Sequence, residues 1–163
     1  DGETLQEMQD LISFYDSDIS TGNKTIDTIL TEKSLICHEK KIDFTCIVDG
    51  KLLSFLKGGD VYALFGNILD NAVEATDGIK DPSKRCINLV VEREKGAIVI
   101  RQDNYYIGEV VKNDEGLINT HKSDKAYHGY GMKSIREIVT RYGGVLEVSA
   151  SSGVFRLSIV LFR

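Results

Sequence analysis

Asn67-Ile68-Leu69-Asp70-Asn71-Ala72-Val73-Glu74-Ala75 decides the reading of this chain. Between Asp60 and Thr76, apolar residues recur at Val61, Leu64, Phe65, Ile68, Leu69 and Ala72, the three-and-four spacing of an amphipathic helix. Asn67, Asp70, Asn71 and Glu74 follow the same spacing and share the opposite face. Asp60 stands where an N-cap acceptor belongs, just ahead of the first apolar residue. A helix that buries one face and presents carboxamides and carboxylates on the other offers hard oxygen ligands. Mg²⁺ takes such ligands in small number and completes its shell with water and phosphate oxygens.

A solvated polar face is the plainer account of those side chains, and a second element argues against it. In His128-Gly129-Tyr130-Gly131-Met132-Lys133-Ser134-Ile135, two glycines open another helix, with Ile135, Ile138, Val139 and Tyr142 on one side. Gly143-Gly144 closes it with a left-handed cap signal. Glycines at a helix entrance let backbone N–H groups and the positive end of the helix dipole approach an anion. A bare G-x-G is weak by itself; its pairing with the Asn-bearing helix is specific.

The two elements together resemble a known family. NILDNAVEA resembles the N box, and HGYGMKSI the second glycine box, of GHKL nucleotide-binding domains, shared by gyrase, heat-shock chaperones, mismatch-repair proteins and sensor histidine kinases. The wording is most similar to the histidine-kinase branch that includes peptide quorum-sensing receptors of Gram-positive bacteria. Thr21 to Lys33 resembles the second helix of that branch's dimerisation hairpin, so the likeness runs from about Thr21 to the C-terminus. It implies the Bergerat α/β sandwich and ATP with Mg²⁺ as ligands. Asn71 is then the metal ligand, with Asp70 and Glu74 in support. Asn67, Asn104, His128, Gly129, Tyr130, Gly131 and Met132 complete the nucleotide contacts.

Composition fits a cytoplasmic domain. The 163 residues suffice for one good core and a small appendage. No apolar run approaches the ~18 residues of a membrane span, and the N-terminus lacks a signal-peptide pattern. A net charge of −5 gives no support for nucleic-acid or anionic-membrane binding. Cys37, Cys46 and Cys86 are odd in number and widely spaced, which predicts reduced, mostly buried thiols and no metal or disulfide framework.

Leu5, Met8, Ile12, Tyr15 and Ile19 predict an opening helix whose apolar seam could pair with another helix. Gly22 and Asn23 break it, and Lys24 to Lys40 reads as a second helix. The resemblance makes residues 1–40 the end of a dimerisation hairpin and residues 41–163 the ATP-binding domain. From Ile42 onward the pattern is α+β: a strand over Ile42 to Val48, and a hairpin turning at Lys95-Gly96. A second hairpin turns at Ser152-Gly153. This order predicts helices on one face of a mixed, largely antiparallel sheet and a two-layer sandwich.

Tyr105 to His128 shows little periodicity, which usually means a lid or a disordered segment, and the resemblance implies the mobile loop beside the nucleotide. Within it, Thr120-His121-Lys122 resembles the approach to the second glycine box, and Lys122 would reach the terminal phosphates as a flexible point charge. A surface lysine is the alternative. The first glycine box departs from the family's Asp-x-Gly-x-Gly: the chain reads Arg101-Gln102-Asp103-Asn104-Tyr105-Tyr106-Ile107-Gly108. Alternation from Ile98 and Ile100 turns Asn104 inward, where its carbonyl can accept from the adenine amino group. Asp103 takes that place if a bulge shifts the register.

Gyrase-like and chaperone members carry a water-activating Glu at position 67. Asn67 cannot act as a general base, which disfavours hydrolysis and favours transfer to an acceptor on a separate helix. Catalysis then falls to Asn67, Asn71 and Lys122. The histidines are His38, His121 and His128. His38-Glu39 superficially mimics an acceptor pair but closes the second helix, near the negative end of its dipole. The acceptor is expected ahead of Thr21, so the chain reads as a fragment without sensor region or acceptor helix. The expected partners are a response regulator, the protein's own acceptor helix and a second subunit, within a membrane-anchored receptor. A GHKL ATPase or Ser/Thr kinase, and a nucleotide-binding interaction module without transfer activity, stand as alternatives.

Overall fold

The computed structural model describes residues 2–16, 19–108, 111–112, 118–119 and 125–163, with side chains at 2–9, 19–108 and 131–163. The elements run α1 (Gly2–Asp16), α2 (Lys24–Glu39), β1 (Asp43–Val48), α3 (Gly58–Asp77), β2 (Cys86–Glu94) and β3 (Ala97–Tyr105). The short strands β4 (Val111–Lys112) and β5 (Ile118–Asn119), then α4 (Lys125–Arg141), β6 (Val145–Ser151) and β7 (Val154–Leu161) complete the chain. Five strands form one sheet in the order β1-β2-β3-β7-β6. β1 runs parallel to β2 across the α3 crossover, and the other neighbours are antiparallel. The α+β sandwich expected from the sequence is the architecture observed.

Both hairpins close by the same device. Glu94 pairs with Ala97, leaving Lys95 (φ 51°) and Gly96 (φ 81°) as a two-residue turn. Ser151 pairs with Val154 around Ser152 (φ 54°) and Gly153 (φ 78°). Two successive left-handed residues give the type I′ geometry whose twist matches the strands it joins.

The sheet's inner face is apolar: Ile87, Leu89 and Val91 from β2, Ile98 and Ile100 from β3, and Phe155, Leu157, Ile159 and Leu161 from β7 are all buried. Against it lie Val61, Leu64, Phe65, Ile68, Leu69 and Ala72 of α3, with Met132, Ile135, Ile138 and Val139 of α4. α2 adds Ile26, Ile29, Leu30 and Cys37 to this same core. Asn23 starts α2 by accepting from the N–H groups of Thr25 (3.1 Å) and Ile26 (3.2 Å). Burial pushes the Cys37 thiol up to about 11 and raises Cys46 and Cys86 as well, so all three are neutral thiols near pH 7. Cys37 is buried; Cys46 and Cys86 are half-buried.

Two helix starts differ from the sequence reading. α3 begins at Gly58, so Asp60 lies in its first turn and is not the cap. Its carboxylate instead accepts from the Tyr142 hydroxyl (2.5 Å) and Arg141 Nη1 (2.7 Å), while Tyr142 Oη accepts from the Lys57 N–H (3.1 Å). The start of α3 is thereby tied to the end of α4, a tertiary contact that local spacing does not encode. α4 begins at Lys125, which places Gly129 and Gly131 inside the helix and not at its entrance. Its end is as expected: Gly143 (φ 70°) is left-handed, and the Gly143 and Gly144 N–H groups bond to the Thr140 and Val139 carbonyls in a Schellman closure.

Arg85, just before β2, has a role that no local pattern announces. Its guanidinium donates to the carbonyls of Thr76, Asp77 and Ile79 at the end of α3, and to Lys40 at the end of α2 (2.6 Å). Helix ends leave carbonyls without intrahelical partners, and this side chain satisfies those of two helices at once. Charged hydrogen bonds of this kind contribute about 1.5–3 kcal/mol each, though not additively. Arg85→Met is expected to lower unfolding stability by about 2–4 kcal/mol, read from the urea midpoint at constant m-value. Lysine, lacking the planar fork, should recover little of the loss.

The Asp60 carboxyl is held below the ordinary carboxylate range, chiefly by the Tyr142 hydroxyl and then by Arg141. A group with a lowered folded-state pKa contributes stability that is present above its unfolded value of ~3.9 and lost as pH falls through the folded value. Asp60→Asn is therefore expected to flatten the loss of stability below about pH 4, measured by urea titrations from about pH 6 downward.

Candidate functional site

α3 presents Asn67, Asn71 and Glu74 along one stripe, all half-buried. Asn67 Nδ2 donates to the Ala63 carbonyl one turn back (2.8 Å), which turns its oxygen outward from that bond. Across from this stripe stands Gly131 of α4, itself buried. A β-carbon on Gly131 would lie 3.2 Å from Asn71 Oδ1, 3.4 Å from Asn71 Nδ2 and 3.6 Å from Asn67 Oδ1. The missing side chain therefore makes room for the two carboxamides. The two elements singled out in the sequence meet at this point.

The remaining expected site residues divide. Met132 is buried in the core, so its side chain supports α4. His128, Gly129 and Tyr130 lie in the first turns of α4, with side chains outside the described residues. Lys122 and the central stretches of the expected lid also lie outside them. Asp70 is engaged elsewhere, its carboxylate paired with Lys33 Nζ of α2 at 2.5 Å. It shares the polar half of α3 with the asparagines but sits at the edge facing α2, so the helix pair takes it.

On β3 the ladder runs without a bulge through Tyr105, where Asn104 pairs with Ile87 on one side and Phe155 on the other. Asn104 points inward and is only 4% exposed. Asp103 points to the opposite face, where Arg156 Nε donates to it (2.6 Å). Of the two residues open at this position, Asn104 is the one turned toward the helices. Gln102 Nε2 donates to Asn104 Oδ1 (2.9 Å), and Asn104 Nδ2 donates to the Tyr105 carbonyl (2.8 Å).

Thr76, Gln102 and Asn104 are the buried polar side chains among the described residues. Thr76 Oγ1 has no hydrogen-bond partner there, although a buried hydroxyl ordinarily finds one. An orphaned hydroxyl on α3 and a carboxamide on the facing strand suit a ligand with several polar edges set in an apolar frame. The Asn71 oxygen and the Glu74 carboxylate are hard donors of the kind Mg²⁺ accepts alongside phosphate. No group of three or more His, Cys, Asp or Glu is gathered for a metal among the described residues.

Sequence reasoning missed Lys33, Arg85, Thr76 and Gln102. Gln102 was within reach, since the alternation that turns Asn104 inward does the same two residues earlier. The others depend on partners distant in sequence.

Residues 56–162 match the family model described as GHKL domain. Comparison with curated proteins finds no match. Among solved structures, the catalytic domain of histidine kinase ThkA, in a nucleotide-free form, is similar at 17% identity and a TM-score of 0.59, covering 87% of this chain and 92% of that one. Acinetobacter baumannii histidine kinase AdeS is similar at 10% identity and 0.58, over 99% of this chain and 77% of that one. The histidine kinase domain from the Erythrobacter litoralis EL346 blue-light activated histidine kinase matches at 15% and 0.52, over 79% and 56% respectively. At these identities the likeness is one of fold.

Gly131 gives a test that separates site from scaffold. It lies inside a helix, where alanine is favoured over glycine by about 0.5–1 kcal/mol. Gly131→Ala is expected to leave the melting temperature unchanged or slightly higher. Crowding of Asn71 should weaken Mg²⁺–nucleotide binding by about tenfold, measured by calorimetry.

Proposed function

Because the chain belongs to the GHKL domain family, we propose that it is the ATP-binding catalytic domain of a sensor histidine kinase. It transfers the γ-phosphoryl group of ATP to a histidine on a dimerisation helix. The observation that carries this reading is the packing of Asn71 and Asn67 beneath Gly131, which brings a metal-binding carboxamide to the helix expected to receive phosphates. Asn71, with Glu74 in support, would hold Mg²⁺, which would supply positive charge to offset that of the phosphates during transfer.

The chain's own residues hold and orient. Asn71 supplies an oxygen to the metal, and Glu74 supports it from one turn further along α3. Gly131 makes room for the Asn71 and Asn67 carboxamides, and His128, Gly129, Tyr130 and Met132 flank it on the helix proposed to receive the phosphates. Lys122 supplies a positive charge to the terminal phosphate. Asn104 accepts from the adenine amino group. Asp70, engaged with Lys33, acts by keeping α2 against α3. In the transfer itself, a ring nitrogen of the acceptor histidine bonds to the γ-phosphorus. The bond to the bridging oxygen breaks, and ADP leaves with that electron pair.

Asn67 cannot take a proton from water, which separates this site from hydrolytic GHKL members. Its Nδ2 is bound to the Ala63 carbonyl, which leaves the amide oxygen as the group it can offer to a nucleotide. The wording of the N box and the use of Asn at 104 favour the Gram-positive peptide quorum-sensing branch. In that setting the domain works at the cytoplasmic side of a membrane-anchored, homodimeric receptor and passes the phosphoryl group to a response regulator. No helix among the described residues is long and apolar enough to cross a membrane.

Calorimetric titration with ATP, with and without Mg²⁺, tests the binding part. Saturable, Mg²⁺-dependent binding is expected, and Asn71→Ala should weaken it by about 10- to 100-fold through loss of a charge-assisted contact. Labelled phosphate appearing on an acceptor-helix peptide, with little release of inorganic phosphate, is expected for transfer. Absence of ATP binding at millimolar concentration by the folded protein would overturn the reading. Rapid phosphate release without transfer would favour an ATPase.

A further inference from the structure

We propose that Gln102 is a positioning residue that locks the Asn104 carboxamide in the orientation that selects a 6-amino purine over a 6-oxo purine. The inference rests on the nucleotide-binding reading and names how the base is chosen. Gln102 and Asn104 occupy successive inward positions of β3. Gln102 lies between Leu89 and Leu157 of the neighbouring strands, and Asn104 between Ile87 and Phe155. Gln102 is 1% exposed and Asn104 4%. In so apolar a frame, an unmatched amide group is costly.

A carboxamide turned through 180° keeps its shape and exchanges an acceptor for a donor. An asparagine alone would therefore serve an adenine amino group or a hypoxanthine carbonyl with equal ease. Here the amides form a chain that ends on a main-chain carbonyl. The Tyr105 oxygen can only accept, so the Asn104 atom 2.8 Å away must be the nitrogen. Asn104 Oδ1 then faces Gln102, and Gln102 must present Nε2, at 2.9 Å. Turning either amide sets oxygen against oxygen or nitrogen against nitrogen. One arrangement satisfies all three groups.

The lock leaves Asn104 Oδ1 with a lone pair beyond the one that accepts from Gln102. That lone pair accepts a hydrogen bond from an exocyclic amino group and repels an exocyclic oxygen. Gln102, nearly inaccessible behind Asn104, touches no base; its part is to prevent the turn that would admit the 6-oxo ring. Where a carboxylate at position 104 would be an acceptor in every rotamer, a carboxamide needs this second residue.

The test compares ATP with inosine triphosphate, which has an oxygen in place of the 6-amino group and a hydrogen on N1. Calorimetric Kd values are measured for the whole chain and for Gln102→Leu, which keeps the bulk and removes the donor. The unaltered protein is expected to prefer ATP by at least about tenfold, and the preference should fall toward unity in Gln102→Leu. A purely structural role would weaken both nucleotides alike and leave the ratio unchanged, and that result would overturn the inference. If the variant fails to fold, hydrogen exchange of the side-chain amides in the unaltered protein decides. Slow exchange of Asn104 and Gln102 is expected from the lock, and exchange of both at the rate of exposed amides would overturn it. Failure of the unaltered protein to bind ATP would remove the nucleotide reading itself; ATP binding with an unchanged ratio removes only the role of Gln102.

Discussion

The rotation of α3 about its own axis is fixed by burial. Val61, Leu64, Phe65, Ile68, Leu69 and Ala72 are each at most 1% exposed, pressed into the core with the inner face of the sheet and α4. Burying a large aliphatic or aromatic side chain contributes about 1.5–3 kcal/mol. Turning the helix by one residue, about 100°, would bring several of these into water at a cost on the order of 10 kcal/mol. No polar contact on the opposite face approaches that. The apolar stripe therefore decides where Asn67, Asn71 and Glu74 point, and the carboxamides meet Gly131 because the core leaves α3 no other rotation.

Burial sets the rotation, and smaller polar contacts set the ends. Arg85 gathers the last carbonyls of α2 and α3, Lys33 bridges those helices through Asp70, and the Asp60–Tyr142–Arg141 cluster ties the start of α3 to the end of α4. The Lys33–Asp70 pair is 47% exposed on its acidic side, so its contribution to stability is small and screened by salt. Its use is geometric, in holding α2 beside the polar stripe.

This division explains how much of the molecule was legible in the sequence. The apolar face of α3, the strand alternation that turned Asn104 inward and the residue–glycine turns at Lys95-Gly96 and Ser152-Gly153 are short-range patterns, and each was readable. The Schellman end of α4 was readable for the same reason. Its start was not, because glycines at 129 and 131 look like an entrance when propensity alone is considered, and the helix begins four residues further back, at Lys125. Asp60 looked like a cap for a similar reason: its true partners are 81 and 82 residues away. Of the candidate site, Asn71, Asn67 and Gly131 were both named and brought together. Asp70 was named for its place on the helix and found with Lys33, a partner that no local spacing predicts.

Two carboxamides, at positions 67 and 104, stand where other GHKL members carry carboxylates. The substitutions act in the same electrostatic direction. Two unit charges about 6 Å apart repel by about 3 kcal/mol at an effective dielectric of about 20. On the proposed reading, an amide in place of a carboxylate at position 67 would remove repulsion of that order, in a protein that already carries a net charge of −5. The loss is chemical at one position and informational at the other. On the proposed reading Asn67 offers no base to activate water, which suits a phosphoryl group meant for another protein group. On the same reading Asn104 does not accept in every rotamer, so recognition of the base would depend on what holds its amide. The buried Gln102 and the Tyr105 carbonyl are placed to restore what the carboxylate would have supplied by itself, without returning its charge.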